Sequence, residues 1–321
     1  MVPLAPPDVL HAELPENPLC LITDDGSSLA PVLAKALSEQ GWSPVILRFS
    51  GISELVKKKR KPFAKEIPLI ELSSSAESEL ETSLKSLTEK RGNIGGFIHL
   101  HPASSAPAES KLEDGANAFL KQAFLTAKNV CTFLNEAGKS DSSRSHFLAV
   151  AHLDGELGMG SGQFGAVGSG LSGLIKTAGV EWPDVFCRFV DLQPELTADT
   201  AASCILQELL DPDLRIKEVG YSGSGKSGTR RMTVQPKIIR DLTTKNSSKS
   251  LTKKSVFLVS GGARGVTAEC VAKLAQTQPC SFILLGRSTI EDEPEWAKGV
   301  DEDKTKLKQA AMKSLVDSGE K

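Results

Sequence analysis

The feature that most constrains the fold of this chain is a repeated alternation of short apolar runs with segments of helical periodicity. The strand-like runs are residues 18–23, 44–49, 67–72, 94–100, 146–151 and 186–192. Helical patterns begin near residue 29 and recur at 76–90, 113–136, 164–180 and 201–210. Strands that alternate with helices at this spacing predict an α/β, Rossmann-like fold with a mostly parallel sheet and helices on both faces.

The pattern changes after residue 210 and later restarts. Residues 215–222 and 229–235 are strand-like runs around a Gly/Ser-rich turn and predict a hairpin. Residues 241–254 are rich in Lys, Ser and Thr, which favours a solvated linker. A new strand (256–260), a glycine-rich turn, a helix (267–276), a strand (281–286) and a helix (304–316) follow. We therefore expect a degenerate first unit over residues 1–240, the linker, and an incomplete second Rossmann unit over residues 255–321.

Composition and charge exclude several classes of protein. Hydrophobic residues make up 40% of the chain and charged residues 24%, so a sizeable core is expected and global disorder is not. The net charge of −2 argues against nucleic acid as a partner, and the basic run at 57–61 is interpreted as a solvated loop. The sequence has no signal-peptide pattern and no apolar run of about 18 residues, which predicts a cytoplasmic protein with no membrane span.

The strongest motif is a glycine-rich turn between a strand and a helix. Its residues are Ser260, Gly261, Gly262, Ala263, Arg264, Gly265, Val266 and Thr267. Such a turn brings backbone N–H groups and a helix N-terminus against a pyrophosphate. The alternative is an ordinary strand-to-helix turn that uses glycine for steric reasons alone.

The next strand ends in Arg287 and Ser288, with no acidic residue at that position. In dinucleotide-binding folds this strand end meets the adenosine ribose, where an arginine can hold a 2′-phosphate. Arg264 and Arg287 therefore predict NADPH as cofactor, unless both arginines are merely solvated. We interpret residues 260–266, 287 and 288 as the cofactor-binding set.

Two other loops resemble phosphate sites but are interpreted differently. Residues 220–227 match the G-x-x-x-x-G-K-[ST] phosphate loop, yet Gly228, an alternating run and Pro236 follow Lys226 where a helix is required. We predict a hairpin turn; a nucleoside-triphosphate site using Lys226 is the weaker alternative. The turn at 23–28 carries Asp24 and Asp25, whose negative charge opposes pyrophosphate, so the first unit is predicted to bind no nucleotide.

No metal site is predicted. His99 and His101 are two residues apart at a strand end and face the same side of the sheet. A metal pair is an alternative, but no third ligand is suggested nearby. The usual interpretation is a strand end that enters a loop at Pro102.

Taken with the motifs above, the tandem arrangement resembles the ketoreductase domains of modular polyketide and polyunsaturated fatty acid synthases, in the short-chain dehydrogenase/reductase superfamily. Residues 165–191 are similar to a helix and the following strand of the structural subdomain in those domains. The predicted hairpin around residue 223 is similar to the strands that close that subdomain. Residues 256–288 resemble the start of the catalytic subdomain. One departure is Thr267, which stands where the superfamily loop usually has a third glycine.

The resemblance implies NADPH-dependent reduction of a β-ketoacyl group, carried by an acyl carrier protein, to a β-hydroxyacyl group, with neighbouring synthase domains as further partners. It implies no catalytic residue in this chain, because the family's Ser/Tyr group lies downstream of the loop, beyond Lys321. The one tyrosine, Tyr221, has Gly225 four residues on in place of lysine or asparagine. We expect the isolated chain to be inactive; the alternative function is a structural or docking module of a large synthase.

Overall fold

The structure is a computed structural model of the chain, and it contains two compact units, Met1–Lys237 and Ile238–Lys321. It describes residues 1–8, 19–52, 60–74, 76–103, 114–139, 144–160, 166–223, 228–236, 251–262, 264–286, 294–300 and 304–318. The predicted linker therefore lies mostly outside the described residues.

The first unit is built on one nine-stranded sheet with the order β1-β9-β8-β7-β6-β5-β2-β3-β4. Its strands are β1 (Val2–Pro3), β2 (Leu19–Thr23), β3 (Ser43–Arg48), β4 (Leu69–Glu71), β5 (Ile94–Leu100), β6 (Ser145–Ala151), β7 (Val185–Leu192), β8 (Glu218–Ser222) and β9 (Arg230–Thr233). The pairs from β4 to β8 are all parallel. The strand order reverses between β2 and β5, as in doubly wound nucleotide-binding folds, so the predicted fold class is confirmed.

Helices cover both faces of this sheet. They are α1 (Leu29–Glu39), α2 (Glu77–Arg91), α3 (Asp114–Gly138), α4 (Gly170–Glu181) and α5 (Ala198–Leu209). One core layer lies under α2, α3 and α4 and includes Phe97 and Phe147; the other lies under α1 and α5 and includes Ile98 and Leu148. Strands β2, β5, β6 and β7 are buried along their whole length, because a parallel sheet between two helix layers has no solvated face.

An antiparallel hairpin closes the sheet. β8 pairs with β9, with Gly220 opposite Met232 and Ser222 opposite Arg230. β8 begins at Glu218 and not at residue 215, because Asp213 and Arg215 form a local hydrogen-bonded turn before it. The two-residue strand β1 pairs with β9 and was not predicted, since two residues carry no periodicity.

One helix differs from its predicted bounds. The pattern at 164–180 predicts a single helix, but residues Ala166–Ser169 form a 3₁₀ turn and α4 begins at Gly170. A side chain at position 170 would press on Leu120 of α3, with 3.1 Å between a built Cβ and Leu120 Cδ2. The close α3–α4 contact therefore lies where the regular helix begins.

The second unit contains a parallel strand pair, β10 (Val256–Ser260) and β11 (Ser281–Leu285). Helix α6 (Gly265–Thr277) connects them, and α7 (Lys304–Ser318) follows. No residue of α6 is buried, and the strands are largely exposed. Across the described parts of the chain, no helix combines the length and the apolar character needed to cross a bilayer.

Candidate cofactor-binding site

The glycine-rich turn after β10 has the backbone geometry of a tight strand-to-helix loop. Gly261 has φ +68°, a left-handed conformation that favours glycine, and its N–H donates to the carbonyl of Leu285 at 2.7 Å. Gly262 is buried, and a Cβ there would lie 2.7 Å from Leu284 Cδ2. The first glycine thus permits the turn, and the second permits close packing against β11.

Helix α6 begins directly after this turn. Arg264 is its N-cap residue, with extended backbone and no side-chain capping bond, and Gly265 has φ +60°. The helix starts two residues before the predicted position, so Val266 lies in its first turn and is 81% exposed. The first N–H groups of a helix have no partners within the helix, so this end can receive an anion.

The described part of the predicted cofactor set is thus gathered at one strand-to-helix junction. Ser260 ends β10, Gly261 and Gly262 form the turn, and Arg264 and Gly265 begin the helix. Ala263, Arg287 and Ser288 lie outside the described residues. Their roles stay predictions.

The corresponding turn of the first unit, after β2, is filled by its own side chains. Asp24 is buried and accepts hydrogen bonds from the Gly26 N–H (3.0 Å), Arg48 Nε (2.8 Å) and Arg60 Nη1 (3.0 Å). Nothing in the sequence indicates these two partners, Arg48 and Arg60, which pair with the Asp24 carboxylate in the fold.

Asp25, in the turn before α1, is also held by hydrogen bonds within the turn. Its Oδ1 accepts from the Ser27 N–H at 3.2 Å and its Oδ2 accepts from the Ser27 hydroxyl. Burial raises the pKa of this carboxyl, while the hydrogen bonds from Ser27 oppose the shift. The loop therefore holds carboxylates of the chain where a dinucleotide fold would receive phosphates.

The segment that matches a phosphate loop leads into a strand. Residues 224–227, including Lys226, lie outside the described residues, but β8 and β9 on either side pair antiparallel. A phosphate loop requires a helix after its lysine, and Arg230–Thr233 is a strand. The hairpin prediction is confirmed.

The only tyrosine belongs to a buried ionic network. Tyr221 is 2% exposed, and its hydroxyl donates to Glu208 Oε1 at 2.5 Å. Arg188 Nη1 donates to Glu208 Oε2 at 2.5 Å and to Asp211 Oδ2 at 2.6 Å, and Arg231 Nε donates to Glu208 Oε1 at 2.6 Å. Burial and the Glu208 carboxylate raise the pKa of Tyr221, so it is a poor proton donor. Neither this network nor its members were predicted.

His99 of β5 and His101, just after that strand, are buried where the strand order reverses. The Thr23 hydroxyl lies 3.3 Å from His99 Nδ1 and accepts from the Leu100 N–H at 2.8 Å. Burial holds the pKa of His99 well below its ordinary value and lowers the pKa of His101 to about 4, so both rings are neutral at pH 7. Among the described residues no cluster of three or more His, Cys, Asp or Glu side chains could hold a metal ion.

Two solved structures are similar to this chain in fold. An N-terminal ketoreductase from the macrolactin assembly line matches 98% of this chain and 55% of its own length, with a TM-score of 0.56 and 13% identity. A 3-ketoacyl-(acyl-carrier-protein) reductase from Brucella melitensis, in complex with NADH, matches 63% of this chain and 95% of its own length, with a TM-score of 0.50 and 16% identity. The chain therefore shares its fold with these two reductases.

One relative is similar to this chain in sequence over nearly the whole chain. One of the subunits of the polyunsaturated fatty acid synthase of Thraustochytrium sp. is 32% identical over 323 aligned positions, which cover 97% of this chain. The chain spans 10% of that relative's length. No family model matches the chain. The resemblance drawn from the sequence is confirmed: the chain has a ketoreductase fold and is homologous to a segment of a polyunsaturated fatty acid synthase.

Proposed function

We propose that this chain is the scaffold and the first half of the cofactor site of an NADPH-dependent β-ketoacyl reductase region within a multidomain synthase. The observation that carries the proposal is the β10–Gly261–Gly262–α6 junction, whose helix start has no side-chain cap. Hydride would pass from NADPH to the ketone carbon of the substrate, and a proton would be added to its oxygen.

The first unit is proposed to support the region without binding nucleotide. Arg48 and Arg60 already pair with Asp24, and Ser27 with Asp25. A pyrophosphate would have to displace these carboxylates and break their hydrogen bonds. Such displacement leaves buried charges without partners, which is costly.

The second unit is proposed to be covered by further elements of the parent protein. Val256 and Leu258 of β10 are 59% and 67% exposed, and Leu285 of β11 is 50% exposed. Parallel sheets are normally covered on both faces, so this pair needs additional strands and helices. The proton donor is proposed to lie among those elements, because Tyr221 is held in the core of the first unit.

The proposed substrate is a β-ketoacyl group on an acyl carrier protein, with neighbouring synthase domains as further partners. The ketoreductase fold and the homology to a polyunsaturated fatty acid synthase support this proposal. The Brucella melitensis enzyme described above is, by its name, a reductase of 3-ketoacyl groups on such a carrier.

Titration of the full-length parent with NADPH, NADH and ATP tests the proposal. We expect saturable NADPH binding, weaker NADH binding and no specific ATP binding. NADPH oxidation with a carrier-bound β-ketoacyl substrate should follow. ATP binding that is lost in Lys226→Ala would instead support the triphosphate hypothesis and contradict the assignment of the hairpin.

A second candidate function is a purely structural or docking module. The internally paired Asp24 loop supports it, because Arg48 and Arg60, which could otherwise meet a phosphate, are already paired with Asp24. The same titration separates the two: a docking module binds neither NADPH nor NADH.

A further inference from the structure

The first unit contains a cavity whose lining includes no residue of the Asp24 loop. Its volume is about 490 Å³, within the range of about 300–1,000 Å³ that small-molecule pockets occupy. It is bounded by α4, by the loop after β6, and by β7, β8 and the end of β9. We call it the α4–β9 cavity.

The walls of the α4–β9 cavity are mostly apolar. The apolar side chains that line it include Leu153, Leu157, Met159, Phe189, Val234 and Pro236. Phe189 and Leu153 belong to the core at its floor, whereas Met159 is 68% exposed. This gradient from a buried floor to an exposed apolar side chain suits a linear apolar group that enters from solvent.

One wall is held in an unfavourable backbone conformation. Leu157 has φ +58°, a left-handed conformation that is strained for a residue other than glycine. Its N–H donates to Asp191 Oδ2 at 2.8 Å, and the Leu153 N–H donates to Asp191 Oδ1 at 2.8 Å. Asp154 accepts three further backbone N–H groups of the same loop. The loop is thus fixed before any ligand binds, with Leu157 placed in the cavity wall.

A small polar group lies at one side of the apolar walls. Ser172 Oγ and Lys176 Nζ both donate to Glu218 Oε2, at 2.7 and 3.1 Å. An ammonium has three donors and a carboxylate about four lone-pair sites, so each retains capacity for a ligand. The pair is neutral overall, which favours a ligand end that offers both a donor and an acceptor without net charge.

We propose that the α4–β9 cavity binds an apolar alkyl chain that ends in an amide. The chain lies along Phe189 and Leu157, the amide oxygen accepts from Lys176, and the amide N–H donates to Glu218. The proposal uses no residue of the glycine-rich turn, so it stands or falls independently of the proposed reductase function.

Calorimetric titration of the full 321-residue chain with N-hexyl-, N-octyl- and N-decylacetamide tests the proposal. We expect one-to-one binding that tightens about fifteenfold with each two added methylenes, the value for burial of about 0.8 kcal/mol per CH₂. Each ligand is used below the concentration at which it self-associates. Octylamine and octanoate should bind at least tenfold more weakly than N-octylacetamide, because each leaves one member of the Lys176–Glu218 pair facing a like charge.

Three variants locate the binding. Ser172→Phe fills the cavity and should abolish binding, and Lys176→Met should weaken it about tenfold. Lys35→Met, an exposed lysine on α1 at the opposite face of the sheet, should leave it unchanged. Circular dichroism and thermal unfolding confirm that each variant is folded, and Ser172→Leu replaces Ser172→Phe if the latter is not. Absent binding, equal binding by all variants, or no dependence on chain length would overturn the proposal, and equal binding of the charged ligands would overturn its amide part.

Discussion

The Tyr221 hydroxyl donates a 2.5 Å hydrogen bond to Glu208 Oε1 inside the core of the first unit. This carboxylate also receives hydrogen bonds from Arg188 and Arg231, so the only tyrosine of the chain completes a buried ionic network. A phenol held in this way stabilises the fold and cannot approach a ketone substrate.

Tyr221→Phe should therefore reduce the stability of the chain. Loss of a hydrogen bond to a charged group costs about 1.5–3 kcal/mol. Urea unfolding of the 321-residue chain measures the loss, and Thr82→Val, which removes an exposed hydroxyl, is the matched control with a change within about 0.5 kcal/mol. Neither Tyr221→Phe nor the unmodified chain should oxidise NADPH with a small ketone. Equal stability of the two variants would contradict the structural role.

Glu208→Gln should be more damaging than Tyr221→Phe. It removes the charge that faces Arg188 and Arg231, and breaking a buried ion pair costs about 3–5 kcal/mol. Glu39→Gln is the control, because Glu39 forms an exposed pair with Lys35 worth about 0–1 kcal/mol. Denaturant unfolding midpoints compare the stability of Glu208→Gln with that of Glu39→Gln. Similar losses of stability in the two variants would mean that the buried network contributes little to the stability of the fold.

Asp191 should make stability depend on pH. Burial raises its pKa to about 6, despite the hydrogen bonds from Leu153 and Leu157. The folded state thus binds more protons than the unfolded state between about pH 4 and pH 6, so stability falls as pH rises through this window. Between these two pH values the free energy of unfolding of the unmodified chain should fall by up to about 3 kcal/mol relative to that of Asp191→Asn. The measurement is denaturant unfolding of both proteins at a series of pH values. If the free energies of unfolding of the two proteins change in the same way with pH, Asp191 is not the group responsible.

Gly261→Ala should weaken NADPH binding by the full-length parent. The left-handed conformation of Gly261 costs an L-residue about 1–2 kcal/mol, equivalent to about five- to thirtyfold in affinity if the turn is distorted. Gly173→Ala is the matched control, since a Cβ there meets no atom within 4 Å and a helical alanine is favourable. Unchanged affinity in Gly261→Ala would remove this turn from the cofactor site.

Arg287→Ala in the full-length parent should separate NADPH from NADH. A charge-assisted hydrogen bond to the 2′-phosphate is worth about 1.5–3 kcal/mol, or about ten- to a hundredfold in affinity. The affinity for NADPH should fall by that factor and the affinity for NADH should hardly change. Fluorescence titration with each cofactor measures both affinities. Equal weakening of both cofactors would assign Arg287 to the fold, and no change would direct attention to Arg264.

Much of the fold could be predicted because its information is local. The predicted strand at 94–100 is β5, Ile94–Leu100, and the pattern at 76–90 is α2, Glu77–Arg91. The glycine-rich turn was located for the same reason, since a left-handed residue between a strand and a helix favours glycine within a few positions. The observed start of α4 differs from the predicted one, because a 3₁₀ turn precedes the helix. The helix begins at the residue that contacts α3.

The sequence by itself determined the βα alternation, the hairpin at the phosphate-loop match and the position of the glycine-rich turn. Only the tertiary structure paired Asp24 with Arg48 and Arg60, and joined Arg188, Glu208 and Arg231. The physical reason is range: periodicity and turn chemistry act over a few residues, whereas these ion pairs form between segments that meet only after the sheet has assembled. In the sequence these charged residues resemble ordinary solvated side chains. In the folded protein they are buried or partly buried, and they become part of the core.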